Sequence, residues 1–279
     1  MKFDMNAAWR EATGMIAANR EVLMIVAGVF FLLPSLASVW FMSDMQIALM
    51  DSLQNPENAK RLINGIGAAA WLTGIVSTLL QIMGFMALLS LFRDDGRPTV
   101  GRAIGNAFKG LPTLIAAIIL SFFATMLVFS LVAILGLAAG PLAFLVPLMA
   151  MALFVFIPVK LSLTMPVIMI EKFVNPVSAL VRSWQLTNGN TLRLLGFYLL
   201  LMTGYIVISI MWISILGVLL GIGQFTSDSL VPGSTALIAI GLSSGLIGAA
   251  VSVLLSATLA AVHRQLAGPS AEAISRTFE

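Results

Sequence analysis

Six long apolar stretches constrain the fold of this chain more than any other feature. A helix that crosses a membrane needs about 20 mainly apolar residues. The stretches that meet this requirement are residues 22–42, 62–92, 111–137, 141–170, 194–223 and 235–262. Only 10% of the 279 residues are charged, against about 25% in soluble domains. Because so few charges cannot solvate a water-soluble surface, the sequence predicts an all-α polytopic membrane protein, a single domain with six transmembrane helices.

The distribution of positive charge predicts the orientation of these helices. Lys60 and Arg61 lie in one set of connections between the apolar stretches, and Lys160 lies inside the fourth stretch. Every other Lys and Arg lies in the opposite set of connections or in the terminal segments. Because membrane proteins retain Lys and Arg on the cytoplasmic side, we expect both termini in the cytoplasm.

A short amphipathic segment precedes the first, third and fifth apolar stretches. In each segment, small residues four positions apart share one helical face: Ala8 and Ala12, Ala103 and Ala107, and Ala179 and Ser183. This pattern predicts three cytoplasmic interfacial helices, residues 3–19, 100–110 and 176–190, with Trp9 and Trp184 at the apolar boundary. Each helix and the two spans after it would form one unit of a threefold pseudo-repeat. The alternative is coincidence, since small residues at this spacing are common in helices.

The composition excludes several kinds of chemistry. The chain has no Cys, which excludes disulfides and thiolate metal sites, and its one His, His263, cannot form a site of several imidazoles. His263 lies at the end of a span, where a nucleophilic Ser–His pair is not expected. We therefore predict no catalytic residue, metal, cofactor or enzymatic activity. The net charge of +3 comes from short loops whose charge the orientation explains, so no nucleic-acid partner is predicted.

Lys160 is the most unusual residue of the apolar stretches. A charge inside a span is costly and is a functional candidate by default. Lys160 lies between Pro158 and Pro166, which are expected to kink the helix. Three interpretations stay open: the side chain snorkels to the lipid phosphates, it makes a structural hydrogen bond, or it binds a ligand or transported substrate.

Other candidate residues lie near the ends of the spans and within the second span. Glu171 marks the end of the fourth span, where we expect an ion pair with Lys172 or Arg182 to hold the interfacial helix. Gln81 lies in the middle of the second span, where an amide usually forms a hydrogen bond to a neighbouring helix. Together with Lys160, Trp9 and Trp184, these residues are the candidates for lipid or ligand contact.

The most specific motif surrounds the connection after the fourth span. It consists of a proline, then an apolar run from a second proline to a glutamate, then an Ala-x-x-x-Ser helix that ends in Leu-Thr-x-Gly. These elements are Pro158, residues 166–171, residues 179–183 and residues 186–189. The motif resembles a bacterial membrane-domain family that includes the region before the catalytic part of some glycerophosphodiester phosphodiesterases, and the YciC-like stand-alone proteins. The segment from Arg264 to Gly268 and Pro, with a later Phe278, is similar to that family's ending.

The resemblance covers the whole chain loosely and residues 158–196 best. It implies six helices and a location in the bacterial inner membrane. It does not imply the phosphodiesterase reaction, which belongs to a separate soluble barrel domain with a carboxylate metal site and two histidines.

Two functions agree with these observations. The first is a non-enzymatic membrane protein that interacts with lipids or serves as a scaffold or accessory module. Its partners would be anionic lipid headgroups, another membrane protein or a second copy of the chain. The alternative is a small transporter or exporter that uses the proline-rich fourth span and Lys160, which requires a polar cavity near the middle of the membrane.

Overall fold

The computed structural model describes residues 2–41, 68–93, 99–138, 140, 144–219 and 235–268, and the regular structure within them is helical. The helices in chain order are α1 (Met5–Ala27), a π-helical turn (Gly28–Leu32), α2 (Leu33–Phe41), α3 (Ala68–Leu91), α4 (Val100–Ala138), α5 (Leu145–Leu161), α6 (Thr164–Ile170), α7 (Pro176–Thr187), α8 (Thr191–Leu219) and α9 (Thr235–Ala267).

Six helical segments are long and apolar enough to cross a membrane, so the protein is a multi-pass membrane protein, as predicted. These segments are Met5–Ser38, Trp71–Leu91, Val100–Leu137, Leu145–Ile170, Thr191–Leu219 and Ile238–Ala267. Parts of four predicted spans, at residues 42, 62–67, 141–143 and 220–223, lie outside the described residues. The last helix continues past the predicted end at residue 262 and carries His263 and Arg264 within its final turns.

The three predicted interfacial segments differ in how they join the next span. In α1 the helix is kinked at Asn19 (φ −123°, ψ 16°), whose side-chain amide donates to the carbonyl oxygen of Met15. In α4 the predicted segment 100–110 and the following span form one continuous helix of 39 residues, about 58 Å long. Only α7 is separated from its neighbours by non-helical residues on both sides, Glu171–Asn175 and Asn188–Asn190. The prediction of three similar separate helices therefore needs correction at α4.

The continuity of α4 has a reason in its packing. Ala103, Ala107 and Leu114 are buried and recur on one face of the helix across the predicted boundary. One straight helix keeps this face packed along its whole length, although Pro112 removes one backbone hydrogen-bond donor.

The fourth span is broken, as the two prolines predict. Helix α5 ends at Leu161, and α6 begins at Thr164 after Leu163, whose backbone is not helical (φ −91°, ψ 4°). The Ser162 hydroxyl donates to the carbonyl of Val159 at 2.8 Å, and the Thr164 hydroxyl donates to the carbonyl of Leu161 at 2.8 Å. Two carbonyls at the break thus gain hydrogen-bond partners, which makes the break tolerable inside a membrane.

The packed core lies at one end of the bundle, where α3, α6 and α9 end and α1, α4 and α7 begin. We call this region the charged end, because charged side chains cluster there. Its fully buried apolar side chains include Leu23, Leu88, Phe92, Leu163, Val167, Leu194 and Val262. Away from this end the helices expose large apolar side chains; in α8 the buried residues are Leu194 and Phe197, both in its first two turns. The exposed apolar surface is the part that lipid would cover.

A close contact between α2 and α9 depends on a glycine of α9. A Cβ added at Gly245 of α9 would lie 3.0 Å from Leu32 and from Ser35, so a larger residue would push α9 and α2 apart. The Ser35 hydroxyl reaches the carbonyl oxygen of Gly241 at 3.5 Å. Glycine therefore lets two helices approach closely inside the bundle.

Candidate functional site

Three helix N-caps define the architecture of the charged end. The side chain of Asp4 accepts hydrogen bonds from the backbone of Asn6 and Ala7 at the start of α1. Asn175 caps α7 in the same way. At the start of α4, the Thr99 hydroxyl accepts from the backbone N–H of Arg102 at 3.4 Å. Each cap satisfies N–H groups that have no partner within the helix, so each helix begins at a defined residue.

The same spacing from the caps places small side chains in the core. The residues four and eight positions after each cap have no exposed surface: Ala8 and Ala12, Ala103 and Ala107, and Ala179 and Ser183. Larger side chains at these positions would hold the helices away from the spans beneath them. Helices α1, α4 and α7 therefore lie against the rest of the bundle through the face that the sequence pattern predicts.

The residue seven positions after each cap contacts the end of a span. Glu11 of α1 pairs with Arg264 of α9 at 3.3 Å. Asn106 of α4 donates to the Ser90 hydroxyl of α3 at 3.1 Å. Arg182 of α7 pairs with Glu171, which follows α6, at 3.0 Å. The acid lies on the capped helix in the first pair and on the span end in the last, so the two ion pairs have reversed charges.

Glu171 is the centre of the largest polar cluster. Its carboxylate accepts from Arg182 Nε at 3.0 and 3.3 Å and lies 2.8 Å from His263 Nε2. Burial raises the pKa of the Glu171 carboxyl, but the hydrogen bonds and charges of His263 and Arg182 outweigh burial and lower that pKa below its ordinary value. The predicted ion pair of Glu171 with Arg182 is confirmed. Together with the contact to His263, it joins the end of α6 to α7 and α9.

The ring of His263 is oriented by this carboxylate. His263 is 3% exposed, and its Nδ1 atom is buried without a hydrogen-bond partner. An ionised carboxylate accepts hydrogen bonds only, so Nε2 of His263 carries a proton and donates it to Glu171. This arrangement leaves His263 inaccessible to a substrate in the structure.

The N-terminal segment is fixed to two helices at the same end. The backbone N–H of Phe3 donates to Asn190 Oδ1 at 2.9 Å, and the Phe3 ring packs against the Phe197 ring with centroids 5.5 Å apart. Gln265 of α9 exchanges hydrogen bonds with the backbone of Asp4. Arg264 also donates to the carbonyl oxygen of Phe92. The contacts of Phe3 and Asp4 connect the beginning of the described chain to α8 and α9, and the contact of Arg264 connects α9 to the residue after α3.

Lys160 is held inside the protein. The residue is 3% exposed, its ammonium reaches Asn188 Oδ1 at 3.4 Å, and it lies 5.4 Å from the Phe156 ring centroid and 5.2 Å from the Trp184 ring centroid. Its backbone carbonyl accepts from the Ser183 hydroxyl at 2.9 Å. Of the three interpretations, the described contacts agree with the structural hydrogen bond, because the buried ammonium reaches Asn188. The sequence pattern gave no sign that α7 would cover the side chain.

A cavity of about 490 Å³ lies between α4 and α5, and we call it the lateral cavity. Its outer residues include Phe122 and Phe154, which are 57% and 70% exposed, and its inner residues include Phe85 of α3 and Leu259 of α9. The cavity thus reaches from the lipid-facing surface toward the middle of the bundle. Along α4 it extends from Leu114 to Phe129, about 22 Å at the rise of an α-helix.

Three of the four hydroxyls that line the lateral cavity already donate a hydrogen bond. Ser121 donates to a carbonyl of α4, and Ser162 and Thr164 donate to carbonyls of α5, at 2.6 to 2.8 Å. The described residues that line the cavity include no charged side chain. The lateral cavity therefore offers apolar contact and few unused hydrogen bonds.

The structure brings some of the predicted site residues together and not others. Lys160 and Trp184 are in contact, and Glu171 and Arg182 form an ion pair, so α7 carries a member of each group. Trp9 is 41% exposed on α1, and Gln81 is exposed on α3, apart from both groups. Sequence reasoning did not assign His263, Arg264, Glu11 or Asn188 to the site. The signal that identifies Glu11 is its spacing from Asp4, which equals the spacing of Arg182 from Asn175.

Comparison of the chain with protein-family models, curated proteins and solved structures finds no match. The resemblance seen in residues 158–196 therefore stays a prediction. Among the described residues, no group of three His, Cys, Asp or Glu side chains could hold a metal ion. The geometry supports two kinds of interaction: rigid helix packing at the charged end and apolar contact in the lateral cavity.

Proposed function

We propose that this protein is a non-enzymatic module of the bacterial inner membrane that holds a lipid acyl chain in the lateral cavity. The observation that carries the proposal is the cavity itself, which is apolar, about 490 Å³ in volume and bordered by exposed phenylalanines. A hydrocarbon chain suits such a site, because it asks for no hydrogen bonds and fills space that side chains leave empty.

The charged end supports a location at the cytoplasmic surface. The positive residues of the sequence concentrate in the segments that form it, which is the distribution expected of cytoplasmic loops. Trp9 and Trp184 are 41% and 43% exposed on helices that begin there, a placement typical of the membrane interface. In this orientation both termini are cytoplasmic, and the acyl chain in the lateral cavity belongs to the inner leaflet.

The threefold pseudo-repeat is part of the same proposal. Three features recur at equal spacing in the three units: the N-cap, the two buried small residues, and the polar residue that contacts a span end. Coincidence could explain small residues that lie four positions apart. It explains less easily that each unit also has an N-cap and a contact with a span end at the same spacing. We interpret the charged end as a rigid platform built from three similar units, which holds the spans that border the lateral cavity.

Filling the lateral cavity tests the proposed function. Thr125 lines the cavity on α4, whereas its neighbour Ala124 is exposed and does not line it. We expect Thr125→Trp to lower the fraction of purified protein that carries a phospholipid about tenfold, because two fewer buried methylenes, at about 0.8 kcal/mol each, already weaken binding by that factor. Native mass spectrometry of the protein in mild detergent measures this fraction.

Ala124→Trp is the matched control for this experiment, since it adds the same side chain one residue away. It should retain phospholipid as the unmodified protein does. Equal retention by all three proteins would contradict the proposal, provided that size-exclusion chromatography shows the same monodisperse particle for each.

Transport is the alternative function, and one observation favours it. Transporters use broken helices at their substrate sites, and Pro158 and Ser162, at the break between α5 and α6, line the lateral cavity. However, Lys160 does not line the cavity and has its own partners inside the protein. An apolar ligand therefore agrees better with the lining than a polar transported substrate.

A further inference from the structure

A second pocket lies at the charged end, and Gly110 of α4 is one of its lining residues. Its volume is about 200 Å³, and it is formed by the end of α3, the first turns of α4, and the end of α6 with the residues that follow it. Three cations line it: Arg93, Lys109 and Lys172. We call it the cationic pocket. Nothing in the proposed function uses it, because the lateral cavity shares none of its lining residues.

The frame of the cationic pocket is fixed by hydrogen bonds between its walls. The Thr113 hydroxyl of α4 donates to the carbonyl oxygen of Val174 at 3.1 Å, and Asn106 of α4 donates to Ser90 of α3 at 3.1 Å. A Cβ added at Gly110 would lie 2.8 Å from Cε of Met86 and 3.0 Å from Sδ of Met169, so a larger residue there would displace these two side chains. The pocket is therefore a built feature rather than a gap between loose side chains.

Lys172 adopts an unusual backbone conformation in this frame. Its φ is +59°, and it is the non-glycine residue with positive φ among the described residues. A lysine in the left-handed region costs free energy, and such conformations cluster at functional sites. The turn at Lys172 leads the chain from α6 back over the pocket, where Phe173 and Val174 complete the wall.

The charge of the pocket lining is strongly positive. The described lining contains three cations and no acid. Glu171 precedes Lys172, but its carboxylate is engaged by Arg182 and His263. Arg93 and Lys172 also interact with other groups of the chain. A bound anion would therefore be added to the contacts that these two side chains already make. Asp94 and Asp95, which follow Arg93, lie outside the described residues.

We propose that the cationic pocket binds a phosphate group through Arg93, Lys109 and Lys172. Guanidinium and ammonium groups form charge-assisted hydrogen bonds with phosphate oxygens, and three of them around 200 Å³ leave room for one such group. The phosphate can come from an anionic phospholipid headgroup or from a soluble ion. The pocket lies where α3 and α6 end and α4 begins, which is the depth of lipid headgroups in the orientation proposed above.

The test compares two sets of variants with equal charge. The pocket variant carries Arg93→Gln, Lys109→Gln and Lys172→Gln. The control carries Arg20→Gln, Arg102→Gln and Arg193→Gln, three exposed cations of the same end that do not line the pocket. Sodium phosphate is titrated against sodium chloride at matched ionic strength, with the melting temperature as readout. Separately, native mass spectrometry measures retention of phosphatidylglycerol and of phosphatidylcholine.

We expect the pocket variant to bind its phosphate ligand about tenfold or more weakly than the control and the unmodified protein. A difference seen with inorganic phosphate identifies a soluble ion as the source. A difference seen with phosphatidylglycerol, and not with phosphatidylcholine or inorganic phosphate, identifies an anionic headgroup. If neither ligand separates the pocket variant from the control, the proposal is overturned.

Single variants keep the test decisive if the pocket variant does not fold. Lys109 and Arg102 are both exposed on α4, two helical turns apart on the same face. Lys109→Gln should weaken phosphate binding and Arg102→Gln should not, whereas equal effects would overturn the proposal. Thr125→Trp leaves the cationic pocket unchanged, and the inorganic phosphate titration needs no acyl chain. Failure of the lateral cavity and failure of the cationic pocket are therefore distinguishable.

Discussion

The two ends of the fourth span differ in how closely they are packed against the other helices. Near the charged end, α6 has Val167, Ile168 and Met169 buried, and the carboxylate that follows it, Glu171, is bound to two other helices. Toward the other end, α5 exposes large apolar side chains such as Met151 and Phe154, and it borders the lateral cavity.

The difference indicates where the bundle derives its rigidity. Without a hydrophobic driving force between helices inside lipid, close packing of small residues and interhelical hydrogen bonds must hold a bundle together. Both occur at the charged end, with buried alanines on α1 and α4 and ion pairs at Glu171 and Arg264. The region around α5 has less of either, so lipid can contribute part of its packing.

The largest expected effect comes from breaking the close packing at the charged end. Ala107 has no exposed surface, whereas its neighbour Phe108 is 66% exposed. We expect Ala107→Leu to lower the free energy of unfolding by about 3 kcal/mol, because the larger side chain forces α4 away from its neighbours. Phe108→Leu places the same residue on the exposed face and should change stability by less than about 0.5 kcal/mol. Thermal unfolding in detergent compares the two, and similar losses would show that α4 is not packed as described.

An intermediate effect is expected at the polar cluster. Glu171→Gln removes the charge that binds Arg182 and orients His263, leaving polar groups of both without their full hydrogen bonds. We expect a loss of about 2 kcal/mol in the free energy of unfolding. The exposed Glu21 on α1 supplies the control, since Glu21→Gln makes the same chemical change outside the cluster. Equal stability of the Glu171→Gln and Glu21→Gln variants would show that the polar cluster around Glu171 does not stabilise the charged end.

The smallest effect concerns acid. Because the pKa of Glu171 is lower in the folded protein than its ordinary value of about 4.3, the ion pair stabilises the fold above that value. The stabilisation is lost as the pH falls through the lowered folded pKa, because the carboxyl then becomes protonated in both states. The stability difference between the unmodified protein and Glu171→Gln should therefore shrink as the pH falls below about 4. A difference that stays constant over this range would contradict the lowered pKa.

Much of the fold could be predicted because a membrane constrains features that are visible along the sequence. The length of an apolar run indicates a span, and the prolines at 158 and 166 indicate a break in the fourth one. The pair of Glu171 with Arg182 was predictable because both belong to one short segment of chain. The faces of α1, α4 and α7 were predictable because buried residues four apart share a side of a helix.

Other parts of the site depend on residues that are far apart in the sequence. Glu171 and His263 are 92 positions apart, and Glu11 and Arg264 are 253 positions apart. No local pattern could show that α9 returns to meet both. The choice between the three interpretations of Lys160 could not be made for the same reason, since its burial depends on Trp184 of α7 and on Asn188, the residue after α7. The continuity of α4 was missed because the amphipathic segment 100–110 and the apolar stretch 111–137 were interpreted as separate helices, whereas one buried face continues across both.

The amino-acid pattern alone was enough to show that this is a membrane protein and how many of its helices are long enough to cross a membrane. It also showed which faces of three helices carry residues small enough for close packing. These properties follow from hydrophobicity and helical periodicity, which act along the chain. The relative positions of the described helices were needed to show that Glu171 joins three of them, that Lys160 is enclosed, and where the lateral cavity and the cationic pocket lie. Cavities and hydrogen bonds between helices arise from the relative positions of helices, and a linear pattern does not contain that information.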